Sequence, residues 1–310
     1  MELRLDKESL AVYKALASQT RLDILNLLSE KNHTASELAE QLNLSKAVLS
    51  RHIAQLEDAG LIQIDRSVRT DDNRKKNYTL RVDHANIVFP RKIYLPYKQK
   101  TQDIRLGYYT DFSVEPTCGL ASRDAVIGQL DEPRVFASSE RTKASLLWLS
   151  NGYVEYKIPN TLEPGQTAQM LDISMELSSE YPGSNNEWPS DITFFINGVN
   201  ITTWTSPGNY SDVRGKLTPL WWNERFSQYG LLKHLRVNNE DSGLDGVKVS
   251  DTTLADLRLE DSPFITLRIG VLPDAVHRGG LTIFGKDFGN HPQNITMTLY
   301  YTEPNSPDAD

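Results

Sequence analysis

The hydrophobic pattern of the chain changes once. Up to about residue 60 the apolar positions recur at helical spacing: Leu10, Tyr13 and Leu16 predict a first helix from Lys7 to Ala17, and Leu22, Ile24, Leu25, Leu27 and Leu28 mark a broad face within residues 20–30. "TASELAEQLNL" (34–44) opens on a capping box, in which Thr34 and Glu37 exchange side-chain and backbone hydrogen bonds. "SKAVLSRHIAQLEDAGLI" (45–62) carries Leu49, Ile53 and Leu56 on one stripe, with Ser45 as N-cap and Gly60 as a left-handed stop. A three-residue link, "NLS", allows the last two helices to cross steeply, as in a helix-turn-helix. "LIQIDRSV" and "KKNYTLRV" then alternate in period two around "RTDDNR", predicting a hairpin, the wing of a winged helix.

Beyond residue 86 the runs shorten. "ASLLWLS", "YVEYKIP", "MLDISMEL", "DITFFING", "FITLRIGV", "LTIFG" and "NITMTLYY" are β-branched or aromatic, punctuated by Gly, Pro, Asn and Asp. Strands without intervening helices predict an antiparallel sandwich of jelly-roll kind. The expected fold class is therefore multidomain α+β, with a winged helix-turn-helix in residues 1–85 and an all-β sandwich in residues 86–310. Two connections, Ser178 to Asp191 and Thr205 to Tyr229, are longer than hairpins need, and such loops are often functional.

Charge sharpens this division. The net charge of −8 suits nucleic acid badly until it is split: residues 1–85 hold 13 basic and 13 acidic side chains, and the remainder 20 and 28. Residues 45–81 alone carry 8 basic against 5 acidic, a local cationic face. Roughly opposite the apolar stripe of the helix at 45–58, Ala47, Ser50, Arg51 and Ala54 form a short-chained, cationic side of the kind that can approach a DNA groove closely. No apolar run nears the twenty residues of a membrane helix, and no signal peptide is read, so a cytoplasmic protein without membrane contact is expected. The single cysteine, Cys118, can form neither a structural zinc site nor an intrachain disulfide, and no cofactor is expected.

Residues 10–82, above all "ALASQTRLDILNLLSE" and "ASELAEQLNLSKAVLSRHIAQLEDAGLI" with the basic hairpin, resemble the ArsR family of dimeric winged-helix transcriptional regulators. The resemblance covers about a quarter of the chain. It implies that Lys46, Ala47, Ser50 and Arg51, beside the cap Ser45, lie at the major groove of an operator, and that Arg66, Arg69, Arg74, Lys75 and Lys76 lie on a wing near phosphates. His52 matches a frequent family residue but flanks the apolar stripe, so a packed histidine and a DNA contact both stand open. Metal-responsive members carry cysteines that "HTASELAEQL" lacks, which sets aside the thiolate metal site, and His33 reads as a surface turn residue. The family's terminal dimerisation helix is also missing: "DHANIVFPRKIYLPYKQK" contains two prolines, so a homodimer would use the first helix, the added domain or both.

In the second half, chemistry gathers in the two long connections. Glu187, Trp188, Trp204, Asp212, Arg214, Trp221, Trp222 and Tyr229 fall in or directly beside them, including four of the five tryptophans. Flat aromatic faces with carboxylates and arginines are the materials of a sugar site, although adjacent Trp221 and Trp222 cannot both face one way on a strand. Asp245 and His277, each near glycines, are further ligand candidates or turn residues. This half, through "SDITFFINGVNITTW", "GKLTPLWW", "QYGLLK" and "LTIFGKDFG", resembles the sensor region of long ArsR-like regulators found with carbohydrate-use genes, which implies a sugar or glycoside effector. The reading is a dimeric repressor, not an enzyme, that binds a double-stranded DNA operator under the control of a small polar ligand. Two alternatives remain open at this point: a structural dimerisation or docking domain, and a glycosidase-like sandwich using Glu187 and Asp212.

Overall fold

In the computed structural model, which describes residues 1–64, 76–82, 85–88 and 97–304, the chain divides into two units, Met1–Leu95 and Pro96–Asp310. The first runs β1 (Glu2–Arg4), α1 (Leu10–Leu16), α2 (Gln19–Glu30), β2 (His33–Thr34), α3 (Ala35–Gln41), α4 (Lys46–Asp58), β3 (Ile62–Ile64), β4 (Asn77–Leu80) and β5 (Asn86–Val88). Its helix ends are chemically fixed. Thr34 Oγ1 accepts from the Glu37 amide at 3.3 Å while Glu37 Oε2 accepts from the Thr34 amide at 2.7 Å, completing the expected box. Ser45 Oγ accepts from the Val48 amide at 3.3 Å. At the other end of α4, Gly60 takes φ +69°, and the amides of Gly60 and Leu61 return to the carbonyls of Glu57 and Leu56, a Schellman stop.

The stripe of α4, Leu49, Ile53 and Leu56, is buried against Val12, Ile24, Leu28 and Leu38 in one apolar cluster. Arg21 ties the helices at their rim: its guanidinium donates to the carbonyls of Lys14 and Ala15 at the end of α1 and to Gln55 Oε1 on α4. Three expectations change. In α1 the buried positions are Val12 and Ala15, whereas Leu10 is 43% exposed, and Leu22 of α2 is likewise exposed. His33 is no surface residue; β2 pairs with β4 opposite Tyr78, which carries the imidazole inward to 2% exposure. The sequence placed the change of unit after residue 85, but β5 pairs in parallel with β1 and remains with the first unit. The hairpin forms through β3 and β4, with β2 on its outer side.

The second unit contains β6 (Lys98–Ile104), β7 (Asp111–Ala121), β8 (Val126–Ile127), β9 (Leu146–Pro159), β10 (Thr167–Ser178), β11 (Ser190–Ile196), β12 (Val199–Ser206), β13 (Leu231–Asn238), β14 (Ser242–Leu244), β15 (Val247–Ser250), one turn of helix α5 (Leu254–Leu257), β16 (Phe264–Val271), β17 (Leu281–Phe284) and β18 (Ile295–Thr302). Every pairing in it is antiparallel. One layer runs β12-β11-β16-β9-β7, the other β6-β18-β10-β13-β14-β15. The two expected strands "ASLLWLS" and "YVEYKIP" are a single long β9, whose later half pairs with β16 and whose earlier half pairs with β17. Because β17 also pairs with the end of β10, it joins the layers into a nearly closed barrel.

That junction explains why "LLWL" and "LTIF" lack the usual alternation of apolar and polar residues. Both faces are covered there: Leu147, Leu149, Leu281 and Ile283 point into the main core, while Leu146, Trp148 and Phe284 join a second, aromatic cluster with Trp222 and Phe288.

Candidate functional site

Two features carry the chemistry, one in each unit. On α4 the side opposite the buried stripe is open: Lys46, Ala47, Ser50, Arg51 and Ala54 are all exposed, as is the cap Ser45. His52 lies between the faces, partly buried, with Nδ1 enclosed and without a hydrogen-bond partner among the described residues. Burial holds its pKa below the ordinary histidine value, with Arg21 and Arg51 adding to the effect, so the ring is neutral. Lys76 is exposed at the start of β4, whereas Arg66, Arg69, Arg74 and Lys75 lie outside the described residues.

In the second unit a cavity of about 320 Å³ opens over the junction strands. Trp148 and Thr282 of its lining belong to a row across four neighbouring strands, since Gly119 of β7 pairs with Trp148 of β9, Trp148 with Thr282 of β17, and Thr282 with Ser178 of β10. Gly119 has no alternative here: a Cβ would lie 2.3 Å from the Trp148 ring, so only glycine lets the indole lie down on β7. Trp222 meets Trp148 edge to face at a centroid distance of 5.7 Å and in turn contacts Phe226 at 5.4 Å. Opposite them, Glu180 just beyond β10 accepts from Thr282 Oγ1 at 3.1 Å and from Thr117 Oγ1 at 3.2 Å. Asp131 and Tyr181 complete the acidic side.

The expected ligand residues are only partly brought together. Trp222 lines the cavity, and Trp188 lies edge-on to Tyr181 of its wall at 4.9 Å. Arg214 is a brace within the 206–231 connection, donating to the carbonyls of Pro219 and Trp222, and Trp221 is fixed through Nε1 to the Arg123 carbonyl. Asp212 accepts from Tyr229 Oη at 2.7 Å on the exposed side of the same connection, and Glu187 is exposed on the other one. Three residues lie elsewhere: Trp204 on β12 beneath the Lys233 ammonium, Asp245 in the β14–β15 turn paired with Lys233, and His277 bound to Asp191 at 3.2 Å. Glu180, Asp131, Trp148 and Thr117 were not anticipated, and no pattern in the sequence sets them apart from other residues of their types. Among the described residues no group of three or more His, Cys, Asp or Glu is placed to hold a metal ion, and no helix is long and apolar enough to cross a membrane.

Residues 18–63 match the family model described as "Bacterial regulatory protein, arsR family". The amino-terminal unit is an ArsR-family helix-turn-helix domain. Over 63 residues the chain is 33% identical to the transcriptional activator HlyU of Vibrio cholerae serotype O1, which covers 20% of this chain and 58% of that protein. Over 51 residues it is 41% identical to the transcriptional repressor SdpR of Bacillus subtilis, covering 16% of this chain and 57% of that protein. The chain thus spans less than two thirds of the length of either relative. Among solved structures, HlyU from Vibrio cholerae aligns at 30% identity and a TM-score of 0.22, over 24% of this chain and 77% of that one. The homodimeric winged helix-turn-helix domain of Mb0332 from Mycobacterium bovis aligns at 24% identity and a TM-score of 0.22, over 24% of this chain and 66% of that one.

The match to the ArsR-family model ends at residue 63, so the cavity is read from its own chemistry. Burial raises the Glu180 carboxyl to about 8, and the charge of Asp131 adds to this against the opposing hydrogen bonds of Thr282, Thr117 and the Tyr181 amide. A carboxyl raised on folding binds its proton more tightly in the folded chain. Its stabilisation is complete below the ordinary carboxyl range and is lost as pH rises through about 8. Thermal melts of the full chain are therefore expected to show the second unit losing about 1–3 kcal/mol between acidic and mildly alkaline pH, a figure reduced because Glu180 is partly exposed. Glu180→Gln should flatten that slope, and an equally steep slope in the variant contradicts the assignment.

Proposed function

We propose that the protein is a DNA-binding transcriptional regulator of the ArsR type, acting as a homodimer on a palindromic operator and controlled by a small molecule held in the cavity of its all-β unit. The observation that carries the reading is the open cationic side of α4, where Lys46 and Arg51 project beside the short Ala47 and Ser50 from a helix whose other side is core. Small residues permit close approach to base edges, and arginine can make paired hydrogen bonds to guanine. Two such helices in a dimer would enter successive major grooves roughly 34 Å apart. The exposed Leu10 and Leu22 of α1 and α2 supply apolar surface for the partner copy. Repression is the sense proposed, as in SdpR, the relative of 41% identity.

Effector control requires that the ligand favour one state of the protein over the other; a full switch needs a preference of about 10⁴-fold. A sugar or glycoside is the effector expected from the sequence, and the aromatic lining with the hydroxyls of Thr117 and Thr282 offers surfaces for a pyranose ring and its hydroxyl groups. The test is binding of the purified full chain to its own promoter region against random DNA of equal length, with and without a panel of sugars, glycosides and small amines. A preference for the promoter that one class of compound removes supports the proposal. Equal retention of both DNAs overturns it.

A further inference from the structure

The cavity at the strand junction has aromatic walls, two acids and no counter-charge. Trp148, Trp222, Phe226 and Tyr181 supply ring faces and edges, Glu180 and Asp131 supply carboxyl groups, and none of the residues lining it is a lysine, arginine or histidine. One Asp131 oxygen is engaged by the Cys118 amide at 2.9 Å, and Glu180 is held by the hydroxyls of Thr117 and Thr282 and by the Tyr181 amide, all neutral donors, and forms no ion pair among the described residues. The thiol of Cys118 beside these acids is itself raised to about 11 by burial and by their charge, so it adds no negative charge at neutral pH. We infer that this cavity selects an organic cation, a protonated or quaternary amine on a small apolar or aromatic body, with Glu180 as its counter-ion and the tryptophans as its cage.

The physical case is one of signs. An anionic ligand would meet two carboxyl groups with no donor of positive charge, and a neutral ligand would leave the acids where they are. A cation gains from both elements of the wall: attraction to the electron-rich ring faces and a charge-assisted hydrogen bond to a carboxylate. Apolar surroundings keep Glu180 protonated until such a partner arrives, because an unpaired buried carboxylate is costly. Binding therefore replaces a proton with the ammonium, and the proton leaves to solvent. Around Glu180 the groups that bear on this exchange are Asp131, the Cys118 thiol and the hydroxyls of Thr117 and Thr282; the first favours cation uptake and the rest stay neutral.

The inference rests on reading this cavity as the effector site, and the experiment separates the two. Phenethylamine, 2-phenylethanol and phenylacetate share one body and differ in charge. Titrated into the full chain with tryptophan fluorescence as readout, phenethylamine is expected to bind at least about tenfold more tightly than the alcohol, with phenylacetate weakest. Its affinity should rise with pH between 6 and 8 as the Glu180 proton becomes easier to displace, and calorimetry in two buffers of different ionisation enthalpy should register the released proton. Glu180→Gln should remove the preference for the amine while leaving the alcohol unchanged; if that variant melts without a cooperative transition, Asp131→Asn should reduce the preference in part. Equal or tighter binding of the alcohol or of phenylacetate overturns the inference, as does a glucoside that binds where phenethylamine does not, although the cavity would then still serve as an effector site. Tight phenethylamine binding that leaves promoter retention unchanged keeps the cation assignment and removes the effector role.

Discussion

Glu176→Ala is expected to destabilise the all-β unit by about 3–5 kcal/mol and to lower its melting temperature by about 10 °C. The carboxyl is 1% exposed and accepts from the amides of Gly230, Asn290 and His291, four contacts of 2.9–3.0 Å in all. Burial raises it to about 7 against the pull of those amides and of Lys216. These three donors join two connections: Gly230 closes the β12–β13 stretch that contains Trp222, and Asn290, in the β17–β18 stretch, accepts through Oδ1 from the Lys216 amide of the first. Alanine leaves three amides, of Gly230, Asn290 and His291, without the carboxyl they donate to, each costing about 1–3 kcal/mol where it stays shielded from water. Glu176→Gln keeps the volume and one acceptor oxygen but turns an amino group toward amide donors, so its loss should be intermediate. The melting measurement decides: an alanine variant within about 1 °C of the parent would mean that water satisfies these amides and that the carboxyl is not their organising partner.

Much of the first unit is legible in the sequence because its signals are local. Caps, stops and stripes act within four residues, and the Thr34 box, the Ser45 cap, the Gly60 stop and the Leu49, Ile53 and Leu56 stripe are all such signals. What failed there was set by partners distant in sequence. His33 turns inward because β4 arrives from more than forty residues later, and residues 86–88 belong to the first unit because β1 waits at the other end of it. The second unit was legible as a class, since β-branched runs between turn residues announce antiparallel strands, and the long connections were visible as interruptions. Its cavity was not. The row from Gly119 through Trp148 and Thr282 to Ser178 is assembled by non-local pairing, and nothing in the spacing of these residues states which strands are neighbours. Tryptophan counting drew attention to the connection at 205–229, but there Arg214 is spent on the connection's own carbonyl groups and Trp221 on the Arg123 carbonyl. The residue that matters most for charge, Glu180, is one acid among many in the sequence and becomes distinct only through what surrounds it.

Changing the two sides of α4 one at a time should separate folding from recognition. Leu49→Ala, at a position with no exposed surface, is expected to cost the amino-terminal unit about 2–5 kcal/mol, because the lost side chain leaves a cavity between Val12, Ile24 and Leu38 that a close-packed core closes only in part. DNA binding then falls with the population of the folded unit, for promoter and random DNA alike. Arg51→Ala, two residues on and fully on the open side, should leave the melting curve within about 0.5 kcal/mol of the parent. Its effect belongs to the complex: a loss of about 1–3 kcal/mol on the promoter, some tenfold to a hundredfold in affinity, with a smaller loss on random DNA, because a base contact contributes only where the right base is present. Measuring both variants by thermal melting and by competition binding at one salt concentration gives four numbers with a fixed pattern, stability lost in one variant and selectivity lost in the other. If Arg51→Ala weakens both DNAs equally, the arginine lies on phosphates and α4 sits differently in the groove. If it melts as early as Leu49→Ala, the open side of α4 is holding the unit together, and the reading helix must be sought elsewhere.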